Sequence, residues 1–198
     1  FSAFRKGAPF PESRFLKMVD KALDETPHSC VIAVCPDIVA GGNQSLEFSL
    51  MWRERLPDEL PWFLAVQDGM FPSSVEDKLN DFAGIFLGGT NSFKATAYKW
   101  CELARAKGKL FHFGRASTLG RVRAARSMGA DSLDSASPVL RWRFGRKQEA
   151  NGWVKEALGN NPQMTLGLSG DVERDKILES RFIIDNLKRP PPTTWHKE

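Results

Sequence analysis

Cysteine is scarce in this sequence, and the three cysteines present are not spaced for a disulfide framework or a zinc site. Cys30, Cys35 and Cys101 form an odd, sparse set in a chain of 198 residues, which does not indicate structural disulfides. No CxxC pair provides the thiolate spacing of a structural zinc site. The sequence therefore predicts a reducing, cytoplasmic setting and gives no reason to expect a metal or another cofactor.

Long apolar runs are also missing. No stretch reaches the roughly 18 residues that a membrane-spanning helix needs, and no charged-then-apolar signal segment opens the chain. A chain of 198 residues is long enough to form one sizeable domain with its own core. We expect a soluble protein without a membrane partner.

The excess of positive charge is small overall but concentrated in one region. Net charge is +4, yet residues 115–147 hold eight basic residues against Asp131 and Asp134. Trp142 and Phe144 are interleaved with the arginines of 141–147. Arginines bind phosphates and rings stack on bases, which favours a nucleic-acid surface; a solvated helix face followed by a basic loop is the alternative. The basic side chains assigned to nucleic acid are Arg115, Arg121, Arg141, Arg143, Arg146 and Lys147.

Short apolar runs alternate with helical patterns along most of the chain, which is typical of parallel βα units. The apolar runs predict strands at 31–35, 62–67, 83–87, 110–113 and 131–134. Helical spacing predicts helices at 12–24, 44–56, 92–107, 118–128, 147–158 and 172–187. Because the strands are almost wholly apolar, both faces of the sheet are expected to be covered.

Five strands are too few to close an eight-stranded barrel. Either the sheet is open, or strands are missing on the N-terminal side, and we favour the second interpretation. The expected fold class is α/β, of the (β/α)8 TIM-barrel type, with the first strands missing from this chain and a C-terminal helical extension. The predicted divisions are 1–140 for the barrel units, 141–188 for a basic loop and C-terminal helices, and 189–198 for a Pro-rich tail.

Polar residues and glycines follow each predicted strand. They are Asp37 after the first, Gln67-Asp68-Gly69 after the second, Gly88-Gly89-Thr90 after the third, Gly114-Arg115 after the fourth and Asp134-Ser135 after the fifth. Ligands bind at the carboxyl ends of strands in barrels and open parallel sheets. Since side chains alternate between faces, Asp134 shares a face with Ser132, and a consistent arrangement turns Asp37, Gln67 and Asp134 towards the barrel mouth.

This set of groups suits the edge of a purine. Asp37 can accept two N–H bonds, Gln67 offers a donor and an acceptor, and Gly88-Gly89 exposes backbone to a flat ligand. Asp134 can attack an anomeric carbon or stabilise positive charge there. Each residue also has a structural interpretation: Asp134 as a cap, Asp37 as a turn former, Gly88-Gly89 as a tight turn.

Together these motifs resemble the tRNA-guanine transglycosylase (queuine tRNA-ribosyltransferase) superfamily, most closely its DNA 7-deazaguanine branch of phages and bacteria. Residues 35–37 (CPD) stand at that family's strand-end Asp, and residues 65–69 (AVQDG) look like its VQG segment. Residues 86–90 (FLGGT) look like its VGGL segment, and 113–115 (FGR) match its next strand end. Residues 128–134 (MGADSLD) look like its GxDxFD segment, whose last Asp is the nucleophile.

The resemblance implies an exchange of bases. A flipped guanine would be held by Asp37, Gln67 and the 88–90 segment, namely Gly88, Gly89 and Thr90. Asp134 would attack C1′ of the sugar, guanine would leave, and a 7-deazaguanine would attack in turn. The partners implied are a nucleic acid and a free 7-deazaguanine base.

Two departures from the family pattern qualify this expectation. No CxCxxC…H segment follows Asp134, so no zinc is predicted and DNA is favoured over tRNA. Residues 1–4 (FSAF) look like the remainder of the family's DSGGF segment, which would put a general-acid Asp and about three strands upstream or on another chain. A homo-oligomer is left open. The setting is the cytoplasm, of the host if the chain is phage-encoded.

Two other functions remain open from the sequence. One is a phosphate-binding barrel enzyme that acts on a small sugar phosphate through Gly88-Gly89 and Gly114-Arg115. The other is a non-catalytic nucleic-acid-binding partner that completes a barrel with another chain. His112, inside an apolar strand, is interpreted as a satisfied core histidine rather than a catalyst.

Overall fold

The computed structural model describes residues 9–25 and 30–158, which form an α/β fold. The predicted helix at 172–187, the tail at 189–198 and the 1–4 segment lie outside the described residues. The chain divides into two compact units, residues 1–111 and 112–198, and the divisions predicted after 140 and 188 stay a prediction. Each unit is described by itself below.

The described strands belong to one sheet with the order β1-β2-β3-β4-β5. They are β1 Ala33–Val34, β2 Trp62–Val66, β3 Gly84–Leu87, β4 Leu110–Phe113 and β5 Ser132–Leu133. The pairs β1–β2, β2–β3 and β4–β5 are parallel. The predicted parallel α/β fold is confirmed, and the strand order follows the order of the chain.

Helices connect the strands, most of them at the predicted positions. They are α1 Glu12–Glu25, α2 Asn43–Arg53, α3 Pro72–Val75, α4 Asn91–Lys94, α5 Ala97–Ala106, α6 Leu119–Ser127, α7 Ser137–Arg143 and α8 Lys147–Leu158, with a 3₁₀ segment at Glu76–Asp81. The short α3 and the 3₁₀ segment were not predicted, because four to six residues are too few to show a helical period.

Two other elements differ from the prediction. The single helix expected at 92–107 is broken between α4 and α5, where the Thr96 hydroxyl donates to the Phe93 carbonyl at 2.7 Å and competes with the helical ladder. The basic loop expected from residue 141 begins as part of α7, which has a proline in its first turn, a favourable helix start. That helix ends before Gly145, whose φ of 77° suits a glycine at a helix terminus.

The core of the first unit is built from β2, β3 and the rings that cover them. All five residues of β2 are buried, as expected for a strand covered on both faces. On one side, α1 and α2 meet through aromatic rings: the Phe10 and Trp52 centroids lie 4.9 Å apart, and the Phe15 and Trp52 centroids 5.5 Å apart. Such edge contacts add to the free energy gained from burying the rings.

The second unit has a smaller core beneath α6 and α8. Phe113, Val122, Ala125 and Trp153 are buried there. No helix within residues 9–25 and 30–158 combines the length and the apolar character needed to cross a membrane.

Gly84 gives a test of how tightly β3 is packed. A Cβ at this position would lie 2.4 Å from Cε1 of Phe63 and 2.5 Å from the Leu110 carbonyl oxygen. We expect Gly84→Ala to lower the free energy of unfolding by about 1–3 kcal/mol. In urea unfolding, Gly152→Ala is the matched control, because the described residues leave open space around exposed Gly152 in α8 and alanine favours a helix by about 0.5–1 kcal/mol. Equal effects of the two substitutions would contradict the packing described here.

Candidate functional site

The end of β2 holds the loop after β1 through one buried side chain. Gln67 is 3% exposed, and its Nε2 donates to Asp37 Oδ2 at 3.1 Å, to the Ile38 carbonyl at 2.8 Å and to Ser45 Oγ at 2.8 Å. Its Oε1 accepts from the Ala40 N–H at 2.6 Å. Gln67 and Asp37 therefore lie together as predicted, but the amide of Gln67 is bonded to the protein itself.

The loops after β1 and β2 also touch through two glycines. Gly42 and Gly69 have positive φ angles of 53° and 86°, and a Cβ on Gly69 would lie 3.1 Å from Gly42 Cα. The first turn of α2 closes the same loop, since Ser45 Oγ accepts from the Ile38 N–H at 2.9 Å. Asp37 is thus presented by a loop with a fixed conformation.

Asp37 is a half-buried carboxylate whose ionised form is disfavoured. Burial raises its pKa above the ordinary value of 3.8, although the hydrogen bond from Gln67 acts in the opposite direction. A carboxyl group kept in a position that disfavours its charge is typical of functional sites. This is the strongest electrostatic sign of function in the first unit.

Asp68, in contrast to Asp37, has an environment that favours its ionised form. Its Oδ2 accepts from the Thr90 N–H at 2.7 Å and its Oδ1 from the Thr90 hydroxyl at 2.5 Å. Desolvation acts to raise the pKa of Asp68, but these bonds outweigh it and hold the pKa below the ordinary value of 3.8. Sequence reasoning treated Asp68 as a loop residue and missed this contact between two strand ends.

The Gly88-Gly89-Thr90 turn is shaped around the Asp68 carboxylate. Gly89 has a φ of 75°, and a Cβ there would lie 2.7 Å from Asp68 Oδ2 and 2.8 Å from Cδ1 of Phe93. Gly88 donates its N–H to the Val66 carbonyl at 2.8 Å. Both glycines thus have a structural reason to be there, and base binding by residues 88–90 stays a prediction.

In the second unit, Asp134 lies just after β5 with its side chain 50% exposed. Its Oδ1 accepts from the Arg115 N–H at 2.8 Å and lies 3.0 Å from Nε2 of His112. The main chain of Asp134 is fixed too, because its carbonyl accepts from the Ala116 N–H at 2.7 Å. The candidate nucleophile is therefore accessible and oriented at the same time.

His112 joins Asp134 to Ser132. The His112 Nδ1 lies 2.8 Å from Ser132 Oγ, and the two residues are register partners in the parallel pair β4–β5. Since Ser132 and Asp134 share a face, as their spacing predicts, both reach the same imidazole. His112 is 5% exposed and has hydrogen-bond partners, as predicted. Sequence reasoning did not connect it to Asp134, because that contact needs the register between strands.

Arg115 presents its N–H to Asp134 from an unusual backbone conformation. Its φ is 49°, in the left-handed region that non-glycine residues rarely adopt. Residues held there cluster at functional sites. Arg121, at the start of α6, donates from Nη1 to Ser117 Oγ at 2.5 Å, so both arginines lie near the turn that follows β4.

The remaining basic candidates form what we call the basic cluster: Arg141, Arg143, Arg146 and Lys147. Part of its charge is paired within the protein, because Arg141 Nε lies 3.2 Å and Arg146 Nε 2.6 Å from the Glu149 carboxylate. The hydrogen bond from Arg146 lowers the pKa of Glu149.

Aromatic rings accompany the basic cluster. The Arg141 guanidinium lies 4.9 Å from the Trp153 ring centroid, and Lys147 Nζ lies 5.2 Å from that of Trp142. Phe144 is 73% exposed. The interleaving seen in the sequence therefore presents both charges and rings at the surface.

The described residues bring together Asp37 with Gln67, Asp68 with Gly89 and Thr90, and Asp134 with Arg115. They contain no group of three or more His, Cys, Asp or Glu side chains arranged to hold a metal ion. Burial raises the pKa of the Cys35 thiol to about 12, so this cysteine is a packing residue and not a thiolate.

No protein-family model, curated protein or solved structure matches this chain. The transglycosylase resemblance therefore depends on the strand-end motifs alone.

The strand-end carboxylates Asp68 and Asp37 should differ in how their replacement by asparagine changes the free energy of unfolding. Asp68→Asn should lower the free energy of unfolding at pH 7 by about 0.5–1.5 kcal/mol, a value reduced for solvent exposure. Because the folded-state pKa of Asp68 is lowered, its contribution is present above the ordinary pKa and is lost as the pH falls through the folded value. The difference from the native protein in urea unfolding should therefore narrow below about pH 4.

Asp37→Asn is the matched substitution. An asparagine Oδ1 can still accept from Gln67 Nε2, and it removes a charge that burial disfavours. We therefore expect unchanged or slightly higher stability at pH 7. Because the folded-state pKa of Asp37 is raised, its unfavourable contribution is absent below the ordinary pKa and develops as the pH rises past it. A loss of stability like that of Asp68→Asn would contradict the environment described for Asp37.

Proposed function

We propose that this chain is a transglycosylase that exchanges a guanine base in nucleic acid, DNA rather than tRNA, for a 7-deazaguanine through a covalent Asp134–sugar intermediate. The observation that carries the proposal is the Asp134 carboxylate, half-exposed at the end of a parallel strand with one oxygen held by two N–H donors. The fold proposed with it is a section of a (β/α)8 barrel, which the sequential order of the parallel strands supports.

Asp134 has what a carboxylate nucleophile needs. Its exposure lets a sugar approach, and its fixed orientation lowers the entropic cost of reaching the attacking geometry. In the first displacement a carboxylate oxygen bonds to C1′ while the bond from C1′ to the guanine nitrogen breaks. In the second, the nitrogen of the incoming 7-deazaguanine bonds to C1′ and loses its proton to solvent while the bond from C1′ to the carboxylate oxygen breaks, which regenerates the enzyme.

Asp37 is proposed to hold the base. A guanine edge offers N–H donors, which a carboxylate accepts, and these bonds would favour the ionised form that burial disfavours. Gln67 contributes by fixing the loop that carries Asp37, since contact between its amide and a base would replace one of its present bonds. Gly88, Gly89 and Thr90 are proposed to border the base through the turn that Asp68 holds.

The basic cluster, with Arg115 and Arg121, is proposed to bind the phosphate backbone. Arginine forms bidentate contacts with phosphates, and exposed rings stack on bases without regard to sequence. Phe144 and Trp142 supply such rings beside the arginines.

The sugar-phosphate alternative has less support. The Gly88 N–H, one of the donors expected to hold a phosphate after β3, is bonded to the Val66 carbonyl, and the Thr90 N–H beside this segment is bonded to the Asp68 carboxylate. An anion placed there would meet a negative charge. The non-catalytic alternative is kept as an outcome of the experiment.

The direct experiment is incorporation of labelled base. DNA and tRNA are incubated separately with labelled guanine or a labelled 7-deazaguanine, and stable incorporation is measured for the native protein, Asp134→Asn and Asp131→Asn. We expect incorporation into DNA by the native protein and Asp131→Asn, and a decrease of more than about 1,000-fold in Asp134→Asn, as for the loss of a nucleophile. Incorporation that survives in Asp134→Asn would overturn the mechanism. DNA binding without exchange would indicate the non-catalytic partner.

The surface role of the basic cluster gives a separate prediction. Glu149→Gln removes the carboxylate that pairs with Arg141 and Arg146, so affinity for DNA should increase by about 3- to 10-fold, with a steeper salt dependence. Fluorescence anisotropy at roughly 50 and 200 mM salt measures both quantities. Glu102→Gln, an exposed acid of α5 in the first unit, is the control. Equal effects of the two substitutions would show that net charge alone matters and that the cluster is not the binding surface.

A further inference from the structure

We infer that His112 is a positioning residue for Asp134, and that Ser132, His112 and the Arg115 N–H together decide which carboxylate oxygen bonds to the sugar. This inference rests on the proposed function. It starts from the contacts of Ser132 Oγ with His112 Nδ1 at 2.8 Å and of His112 Nε2 with Asp134 Oδ1 at 3.0 Å.

The chain of hydrogen bonds assigns the tautomer of His112. A carboxylate oxygen can only accept, so Nε2 carries the ring proton and donates to Asp134. In the neutral ring Nδ1 is then an acceptor, and the Ser132 hydroxyl donates to it. The Asp134 carboxylate thus sets the tautomer, and the Ser132 hydroxyl pairs with the other nitrogen of the buried ring and holds its orientation.

Two donors converge on the same oxygen. The Arg115 N–H reaches Asp134 Oδ1 at 2.8 Å, and the positive φ of Arg115 turns that N–H towards the carboxylate. Both bonds fix the rotation of the carboxylate about Cβ–Cγ and draw electron density towards Oδ1.

The reaction can then be written for named atoms. Oδ2 bonds to C1′, the bond from C1′ to the guanine nitrogen breaks, and its electron pair leaves with the base, which takes a proton from water. Oδ1 becomes the carbonyl oxygen of the sugar ester and keeps its two donors. When the second base attacks C1′, its N–H proton passes to the hydroxide left by the first step, and the same donors stabilise the departing carboxylate, as preorganised N–H groups do for developing negative charge.

The same three residue types form the triad of serine hydrolases, but their placement differs. In that triad the aspartate is buried and the serine attacks. Here Asp134 is half-exposed, whereas Ser132 lies within β5 and bonds to a buried ring. The structure therefore favours Asp134 as the reacting group, and Ser132 acts on it indirectly by holding the His112 ring.

Two substitutions at one position separate positioning from packing. A glutamine side chain places an N–H near the position of Nε2, whereas an asparagine side chain reaches only the position of Nδ1. We expect His112→Asn to lower kcat by about 10- to 100-fold, the range for a hydrogen bond to a charged group, with KM and the Kd for DNA unchanged. His112→Gln should recover most of that loss, and Ser132→Ala should show a smaller decrease in kcat.

A second measurement does not depend on activity. The ¹⁵N chemical shifts of the imidazole, assigned among the three histidines with His28→Gln and His196→Gln, should show the Nε2–H tautomer in the native protein. Ser132→Ala should keep the Nε2–H tautomer, because the Asp134 carboxylate still accepts from it, but should shift the Nδ1 resonance through the loss of its hydrogen-bond donor. A native Nδ1–H tautomer would overturn the inference even if every His112 variant failed to fold.

The outcomes also separate this inference from the function on which it rests. A native protein that exchanges no base overturns the proposed function and the positioning role with it. Native exchange together with full kcat in His112→Asn overturns the positioning role alone. Equal losses in His112→Asn and His112→Gln, with matching decreases in unfolding midpoint, overturn it as well, because packing would then explain the effect. A selective loss of the covalent intermediate in His112→Asn supports it.

Discussion

The register between β4 and β5 is the constraint on which the chemistry of the second unit depends. His112 is paired with Ser132, and this pairing places the imidazole beside residues 132 and 134 together. Side chains alternate along a strand, so a slip of one residue would move Asp134 to the opposite face and break both contacts. The buried Phe113 and His112 fix β4, and a backbone hydrogen bond from Asp134 to the Phe113 carbonyl extends the pairing up to the candidate nucleophile.

The first unit uses two neighbouring strand-end carboxylates in opposite ways. Asp68 receives two hydrogen bonds from Thr90 and is stabilised as an anion. Asp37 is buried enough that its charge is disfavoured. The hydrogen bonds of Asp68 stabilise the folded state, whereas the buried charge of Asp37 lowers the stability of the folded state at neutral pH. The proposed contact with a base would give a reason for a carboxylate that Gln67 holds in place although burial disfavours its charge.

The sequence was sufficient for the alternation of strands and helices, because buried parallel strands are continuous apolar runs and the helices show a 3.6-residue period. The sequence did not predict the break between α4 and α5, where the Thr96 hydroxyl hydrogen bond competes with the backbone hydrogen bonds of a continuous helix. It also predicted a loop from residue 141, where α7 continues to Arg143 after a first turn that holds a proline. The strand-end residues could be predicted because a polar residue that follows an apolar run is recognisable from the sequence alone.

Partners of those residues could not be found in the same way. Gln67 contacts a loop 22 to 30 residues away, and His112 contacts Asp134 across a strand pair. Neither the separation of two residues along the chain nor the face of the strand on which a residue lies specifies which side chain it contacts on the neighbouring element. The sequence therefore assigned Gln67 to base binding although its amide is bonded to the protein, and it did not connect His112 with Asp134, the candidate nucleophile.

The basic cluster shows why a count of charges is a poor measure of a binding surface. Eight basic residues between 115 and 147 suggest a strong field, yet Glu149 from α8 pairs with two of them and Glu156 pairs with Arg123 at 3.1 Å. Exposed ion pairs of this kind contribute little to stability, so a phosphate can replace the carboxylate at little cost. Under the proposed function, such pairing would order the arginine side chains before DNA binds and reduce the entropy lost on binding. The acids beside the cluster are thus compatible with the proposed nucleic-acid surface.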